Sequence, residues 1–291
     1  MEQPHPRRTR AFATAALVAL TASLGVTGCV SHAQRPILAT PAARPEGDGR
    51  PLRLLPPFEL ATPEDAIVRI TGDVTCSGTL IADDRVLTAH HCVAARDASG
   101  RALDHDKEPR EISVELGGDY LPWSEVPVRA IIAPDCGYGS GDGDIAILVL
   151  SRHLIGMPTA PVRLESEPQL KEDLRVLGFG RCALSRDGIH RVPRTSNPIQ
   201  SIESGHIATT AAICPGDSGG PVYSIKGDIV GVVSASVMDG DDSTMGLSIF
   251  TRVDRWSQLF AAAHEISNGA SSSELPPYRD CRASSHPRPR K

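Results

Sequence analysis

Between Ala66 and Thr251 the chain alternates short apolar runs with turn residues. The runs are Ala66–Ile70, Thr79–Ala82, Arg85–Thr88, Ile112–Leu116, Ile145–Leu150, Leu174–Phe179, Pro221–Ile225, Ile229–Val233 and Leu247–Thr251. Many short strands at such close spacing predict an all-β sandwich or barrel. One segment breaks the pattern. Val253–Ile266, VDRWSQLFAAAHEI, sets Trp256, Leu259, Phe260 and Ala263 on one face at helical spacing and predicts a C-terminal helix. A chain of 291 residues buries roughly three quarters of its unfolded surface, so a substantial core is expected.

Charge bears on the partners. The formal net charge is −5, with Lys and Arg scattered and no dense basic face, which argues against nucleic-acid binding. Residues 1–28 have the composition of a secretory signal, with Arg7, Arg8 and Arg10 ahead of an Ala/Thr/Leu-rich run from Ala11 to Gly28. The run ends in Val26-Thr27-Gly28-Cys29, similar to the bacterial lipobox, whose cysteine is diacylated and becomes the mature N-terminus. The alternatives are a retained membrane helix and ordinary cleavage after Ser31-His32-Ala33. The many alanines and threonines make a weak permanent span, however, and Ser-His-Ala lies far past the apolar stretch. Seven cysteines are odd for an exported chain. Lipidation of Cys29 leaves Cys76, Cys92, Cys136, Cys182, Cys214 and Cys281, an even set suited to an oxidising compartment. The expected location is the cell envelope, through a lipid anchor at Cys29, or the extracellular space. Residues 29–57, rich in Pro, Ala, Arg and Gly, read as a flexible tether, 58–267 as the folded domain, and 268–291 as a loose tail apart from whatever holds Cys281.

The strongest motif is Ile213-Cys214-Pro215-Gly216-Asp217-Ser218-Gly219-Gly220-Pro221. Its glycines permit a tight turn that presents Ser218 Oγ outward and aims the N–H groups of Gly216 and Ser218 at one point, where an oxyanion would form. Gly-Gly alone would be an ordinary turn between strands. A nucleophilic serine needs a base, and the base an orienting carboxylate. Thr88-Ala89-His90-His91-Cys92 offers two histidines, and Gly143-Asp144-Ile145-Ala146-Ile147-Leu148 an acid at the mouth of an apolar strand. Alone, that aspartate would be a loop cap.

Taken in the order His, Asp, Ser, the segments CSGTLIADDRVLTAHHC, DIAIL, CPGDSGGP and Val232-Val233-Ser234 resemble the trypsin/chymotrypsin family of serine peptidases over roughly residues 60 to 266. The resemblance implies two six-stranded antiparallel barrels, about 58–158 and 159–252, with the site between them and a helix after them. It assigns Ser218 as nucleophile, His91 as general base then acid, and Asp144 as the group that holds the histidine tautomer. Gly216 and Ser218 form the oxyanion hole. The family histidine stands immediately before a cysteine tied to the preceding strand, which selects His91 and pairs Cys76 with Cys92. His90 then occupies the place of a small alanine, packed or solvated outside the triad. The resemblance also suggests Cys182–Cys214 and Cys136–Cys281. It implies protein or peptide substrates, no cofactor, and a monomer. No HExxH accompanies the histidines, and neither Asp239-Gly240-Asp241-Asp242 nor Gly141-Asp142-Gly143-Asp144 has the distal Glu of a calcium loop, so no metal is expected.

Several positions depart from the family pattern. The pocket-floor residue is Ala212, followed by Ile213, so a Lys or Arg side chain has no counter-charge. Val233 stands where glutamate-specific relatives carry histidine, and Ser234, Ser236 and Ser248 are expected to edge the pocket. The preference implied is cleavage after a small or medium apolar residue. No Ile-Val-Gly-Gly run precedes Cys76, so Asp217 needs a partner other than a newly freed amine, or activation uses an unrecognised sequence. The rival to an endopeptidase is a catalytically silent relative serving as a binding or scaffold lipoprotein. Retention of all three triad residues favours the enzyme.

Overall fold

The structure, a computed structural model, describes residues 62–117, 122–182, 191–237, 245–279 and 281. The leader, Cys29, the tether through 57, the acidic run Asp239–Asp242 and the tail beyond Cys281 lie outside the described residues.

The first half forms β1 (Ile67–Thr71), β2 (Thr75–Ala82), β3 (Arg85–Thr88), β4 (Ala94–Arg96), β5 (Ala102–Asp106), β6 (Ser113–Leu116), β7 (Ser124–Ile132) and β8 (Ala146–Leu150). Six of these close an antiparallel barrel in the order β1-β2-β3-β8-β7-β6, while β4 and β5 make a separate ribbon. All five residues of β8, AILVL, are buried, so this strand forms one side of the core. β7 was not evident as an apolar run. Pro127 interrupts it, yet Val126 and Val128 alternate inward while Pro127 faces outward opposite Ser113, where a missing N–H is tolerated.

The second half forms β9 (Leu174–Gly178), β10 (Val192–Arg194), β11 (Ser201–Ile202), β12 (His206–Ala211), β13 (Pro221–Ser224), β14 (Ile229–Ser236) and β15 (Gly246–Arg252). Their order, β10-β9-β13-β14-β15-β12-β11, has seven members where six were expected. The extra member is one strand in two pieces. β10 pairs with β9 at one edge, and the same run then crosses to β12 at the other edge through the Ser196↔Ala211 bridge and β11. Bonds from Asn197 N to Thr210 O (2.9 Å) and Gln200 N to Ala208 O (3.1 Å) continue that pairing past Pro198, which cannot donate. Counted as one, Val192–Ile202 returns the strand number to six and joins the two edges. Val176, Ile207, Val222, Val233 and Phe250 fill the interior.

A short 3₁₀ turn, Asp254–Trp256, leads into α1 (Ser257–Ser267), which buries Leu259, Phe260, Ala262 and Ala263 and packs on β7 and β8. Arg129 of β7 donates to the carbonyl of Ser267 at 2.8 Å, a cation on the open carbonyl end of the helix. The expected loose tail is corrected as far as Cys281. Ser271 caps a turn at Ser272–Glu274, Tyr278 is buried, Asp135 N–H donates to Arg279 O at 2.9 Å, and Cys281 is bonded to Cys136. Apolar burial and a covalent link override a composition that reads as unstructured.

Candidate active site

Two glycines set the turn that carries Ser218. Gly216 has φ +101° and Gly219 φ +80°, left-handed values that side chains disfavour. A Cβ on Gly219 would also lie 2.1 Å from Thr88 Oγ1 and 2.3 Å from Ser77 O, so the first barrel presses directly on the turn. Ser77 clamps it there. Its N–H donates to Ser218 O (2.8 Å), its hydroxyl donates to Gly216 O (2.7 Å), and that hydroxyl accepts from Phe179 N–H (2.8 Å) of the second barrel. Among the described residues, the N–H groups of Gly216 and Ser218 donate to no protein acceptor, leaving both available to an incoming oxygen.

His91 lies in the 3₁₀ turn His90–Cys92, anchored by the Cys76–Cys92 disulfide. Closing a loop of this size restricts the unfolded chain by about 3 kcal/mol. Asp144 is fully buried just before β8 and meets His91 twice, accepting the backbone N–H on Oδ1 (2.9 Å) and facing ring Nδ1 with Oδ2 (2.8 Å). A carboxylate on Nδ1 places the proton there and leaves Nε2 as the acceptor. Ser234 donates to Asp144 Oδ2 and accepts from Gly141 N–H at 3.2 Å, so the carboxylate is itself held in place. Arg96 donates to His91 O at 3.0 Å from β4.

His91, Ser218, Ile213, Ser234 and Ser236 share one cavity of about 480 Å³. Two residues expected at the pocket do not reach its surface. Ala212 is buried and held by an N–H bond to Thr195 O, and Ser248 is fully buried, its hydroxyl 2.8 Å from Ser236 Oγ, one layer behind. Val233 and Ala235 take their place, and among the described residues no carboxylate lines the cavity. Cys76 and Cys92 lie beside His91, but their sulfurs are bonded to each other and cannot serve as metal ligands.

Asp217 points the other way, and its partner lacked a sequence signal. Its carboxylate is fully buried, with Arg194 Nε at 2.7 Å and N–H bonds from Gly180 (2.7 Å) and Cys214 (2.9 Å). Burial pushes this carboxyl up, while the guanidinium and the two N–H groups pull it back toward the ionised form. Arg194 also donates to Gly180 O. The Cys182–Cys214 disulfide ties the same loop to the turn.

A family model described as Trypsin matches residues 61–259. The chain belongs to the trypsin family. The family is one of serine-type endopeptidases acting on peptide substrates, and three disulfides accord with the oxidising, secreted setting usual for it. Among its relatives is "Protease Do-like 2, chloroplastic" of Arabidopsis thaliana, 28% identical over 62% of this chain and 26% of that protein. The trypsin-family domain thus spans about a quarter of that relative's length. An "Uncharacterized peptidase" of Corynebacterium glutamicum is 25% identical over 78% of this chain and 76% of that protein. "Serine protease sp-Eoc49" of Echis ocellatus is 27% identical over 58% and 70%. Two solved structures share the fold at a TM-score of 0.53. Mouse neuropsin is 19% identical, covering 69% of this chain and 95% of its own, and the scabies mite inactivated protease paralogue S-I1 is 20% identical, covering 73% and 99%.

Proposed function

We propose that the chain hydrolyses peptide bonds through an acyl-enzyme on Ser218. His91 Nε2 takes the Ser218 proton as Oγ attacks the carbonyl, then returns it to the leaving amine. Water, activated by His91 in turn, releases the acyl group. Asp144 holds the Nδ1–H tautomer and stabilises the imidazolium, and the N–H groups of Gly216 and Ser218 receive the oxyanion. The observation that carries this reading is the chain of bonds from Ser234 to Asp144 to His91, opening on the cavity that Ser218 lines.

The wall of Ile213, Val233, Ala235 and Ser236, without a carboxylate, supports cleavage after small or medium apolar residues. The Arg194–Asp217 pair supports a site that is active as folded, with no freed amine required. The leader ending at Cys29 supports lipid anchoring of the mature protein, which acts as a monomer.

Labelling with a fluorophosphonate probe tests the reading. The mature, disulfide-bonded protein is expected to label at Ser218, and Ser218→Ala to lose both label and peptidase activity, by at least about 10⁴-fold in kcat. An unlabelled wild-type protein would overturn the enzyme reading in favour of a scaffold lipoprotein. Preferential cleavage after Arg or Lys across a peptide panel would overturn the apolar specificity.

A further inference from the structure

The triad leaves His90 unused. Its side chain is completely buried, next to His91 on the same 3₁₀ turn. Each ring nitrogen faces an acceptor. Nδ1 lies 2.6 Å from the carbonyl oxygen of Cys136, and Nε2 lies 2.7 Å from Asp106 Oδ1. A neutral imidazole carries one N–H and one lone pair, so it can satisfy only one of two such partners. A peptide carbonyl never donates. The Asp106 side chain is about one third exposed at 30%, and a carboxylate oxygen only accepts. Two pure acceptors within hydrogen-bond reach require two donors.

The surroundings favour the resulting charge. The Tyr138 ring lies 4.3 Å from the His90 ring, centroid to centroid, within range of a cation–π attraction. Asp106 is the carboxylate on the His90 ring; Asp106, Asp135 and Asp104 act on neighbouring Tyr138, and Asp104 and His105 of β5 are exposed. The cations are Lys107, engaged by Asp73 at 2.6 Å, Arg279, stacked over the Tyr278 ring, and Arg96 on the carbonyl of His91. On the turn itself, His91 is already paired with Asp144. Burial and then the charges of Asp106 and Asp135 push the Tyr138 hydroxyl up, an independent sign that the region is electronegative.

We propose that His90 is a positioning residue held as an imidazolium, which bolts the end of β5 to the Cys136–Tyr138 segment and so fixes one wall of the active-site cavity. The residues it joins lead straight to that wall. Ala102 begins β5, and Tyr138, Gly139 and Ser140 follow Cys136; all four line the cavity. The bolt therefore acts on how substrate is received, whereas His91 acts on the bond that is cut. The effect on substrate rests on the peptidase reading above; the protonation state does not.

Nitrogen-15 NMR of the whole histidine-labelled chain, with His90→Ala used for assignment, tests the charge directly. Both His90 nitrogens are expected to carry protons at neutral pH, and a bare nitrogen there would overturn the proposal. Kinetics test the positioning. Asp106→Ala is expected to raise KM about tenfold while kcat changes less than about twofold. Asp106→Asn is expected to recover most of that loss, because its amide N–H can donate to Nε2 of a neutral ring. His90→Ala should match Asp106→Ala where it folds, and the two Asp106 variants decide the matter where it does not. Equal KM values for Asp106→Asn and Asp106→Ala would overturn the positioning role. Failure of Ser218 to label would remove the peptidase reading and leave the NMR result to decide the imidazolium.

Discussion

Arg194 reaches Asp217 across 23 residues of sequence and meets it where both side chains are buried, that of Asp217 completely. A buried carboxylate stripped of its counter-charge costs about 3–5 kcal/mol, far more than a surface pair. Arg194→Met is therefore expected to lower unfolding free energy by that amount in denaturant titration. It should also reduce fluorophosphonate labelling of Ser218 at temperatures where the fold persists, because Asp217 helps to fix the turn. Unchanged labelling at full occupancy of the fold would count against Arg194 as the device that shapes the site. The proposed catalytic residues Ser218, Asp144 and His91 stand out in the sequence because such chemistry demands particular residue types in short local motifs. Arg194 was not, since a lone arginine between two prolines carries no pattern that says which acid it will meet. His90 falls between these cases: the neighbouring cysteine marks His91 rather than His90 as the proposed base, while the two acceptors of His90 come from β5 and Cys136, brought together only by folding.

At the scale of elements, the connection between the barrels is fastened by one arginine. Arg163 donates to Glu172 at 3.1 Å and to Asp228, on the β13–β14 turn, at 3.0 Å, with all three residues partly buried. Hydrogen bonds from Arg163 hold both carboxyls below their ordinary values, against the opposing push of burial. Their contribution to stability is then complete above the unfolded values, near 4, and is lost as pH falls through the lower folded values. Arg163→Met is expected to cost about 1–2 kcal/mol near neutrality, since the group is only partly shielded from solvent. The gap in melting temperature between wild type and variant, measured by calorimetry, should narrow between about pH 5 and pH 2. A gap that widens toward acid would reverse this account. The apolar runs exposed most strands to a reading of the sequence, because buried strands such as β8 are apolar throughout. β4, β5, β7, β12 and the split strand β10–β11 escaped it. Proline suppresses the strand signal in β7 and β10, while β4, β5 and β12 are short or mix polar with apolar residues, and all are held by partners contributed from elsewhere in the chain.

Across the whole molecule, Cys136–Cys281 spans 145 residues and returns the end of the described chain to the first barrel, after it has passed through the second barrel and α1. A link closing so long a loop restricts the unfolded ensemble by about 4–5 kcal/mol in the chain-entropy model. Cys281→Ser should therefore lower the melting temperature by about 10 °C, measured without reductant. A shift of under about 2 °C would mean that burial of Tyr278 and the Arg279 backbone bond already hold the tail. The split strand has a consequence at this scale too. Val192–Ile202 occupies the outer side of β9 with its first residues and the outer side of β12 with its last, so the second sheet offers neighbouring molecules little unpaired backbone along those strands. Open sheet margins are where folded proteins recruit one another into fibres. One interrupted strand thus covers both margins of this sheet, and the proline that hid the strand from the sequence pattern sits in the very segment that closes them to a neighbour's backbone.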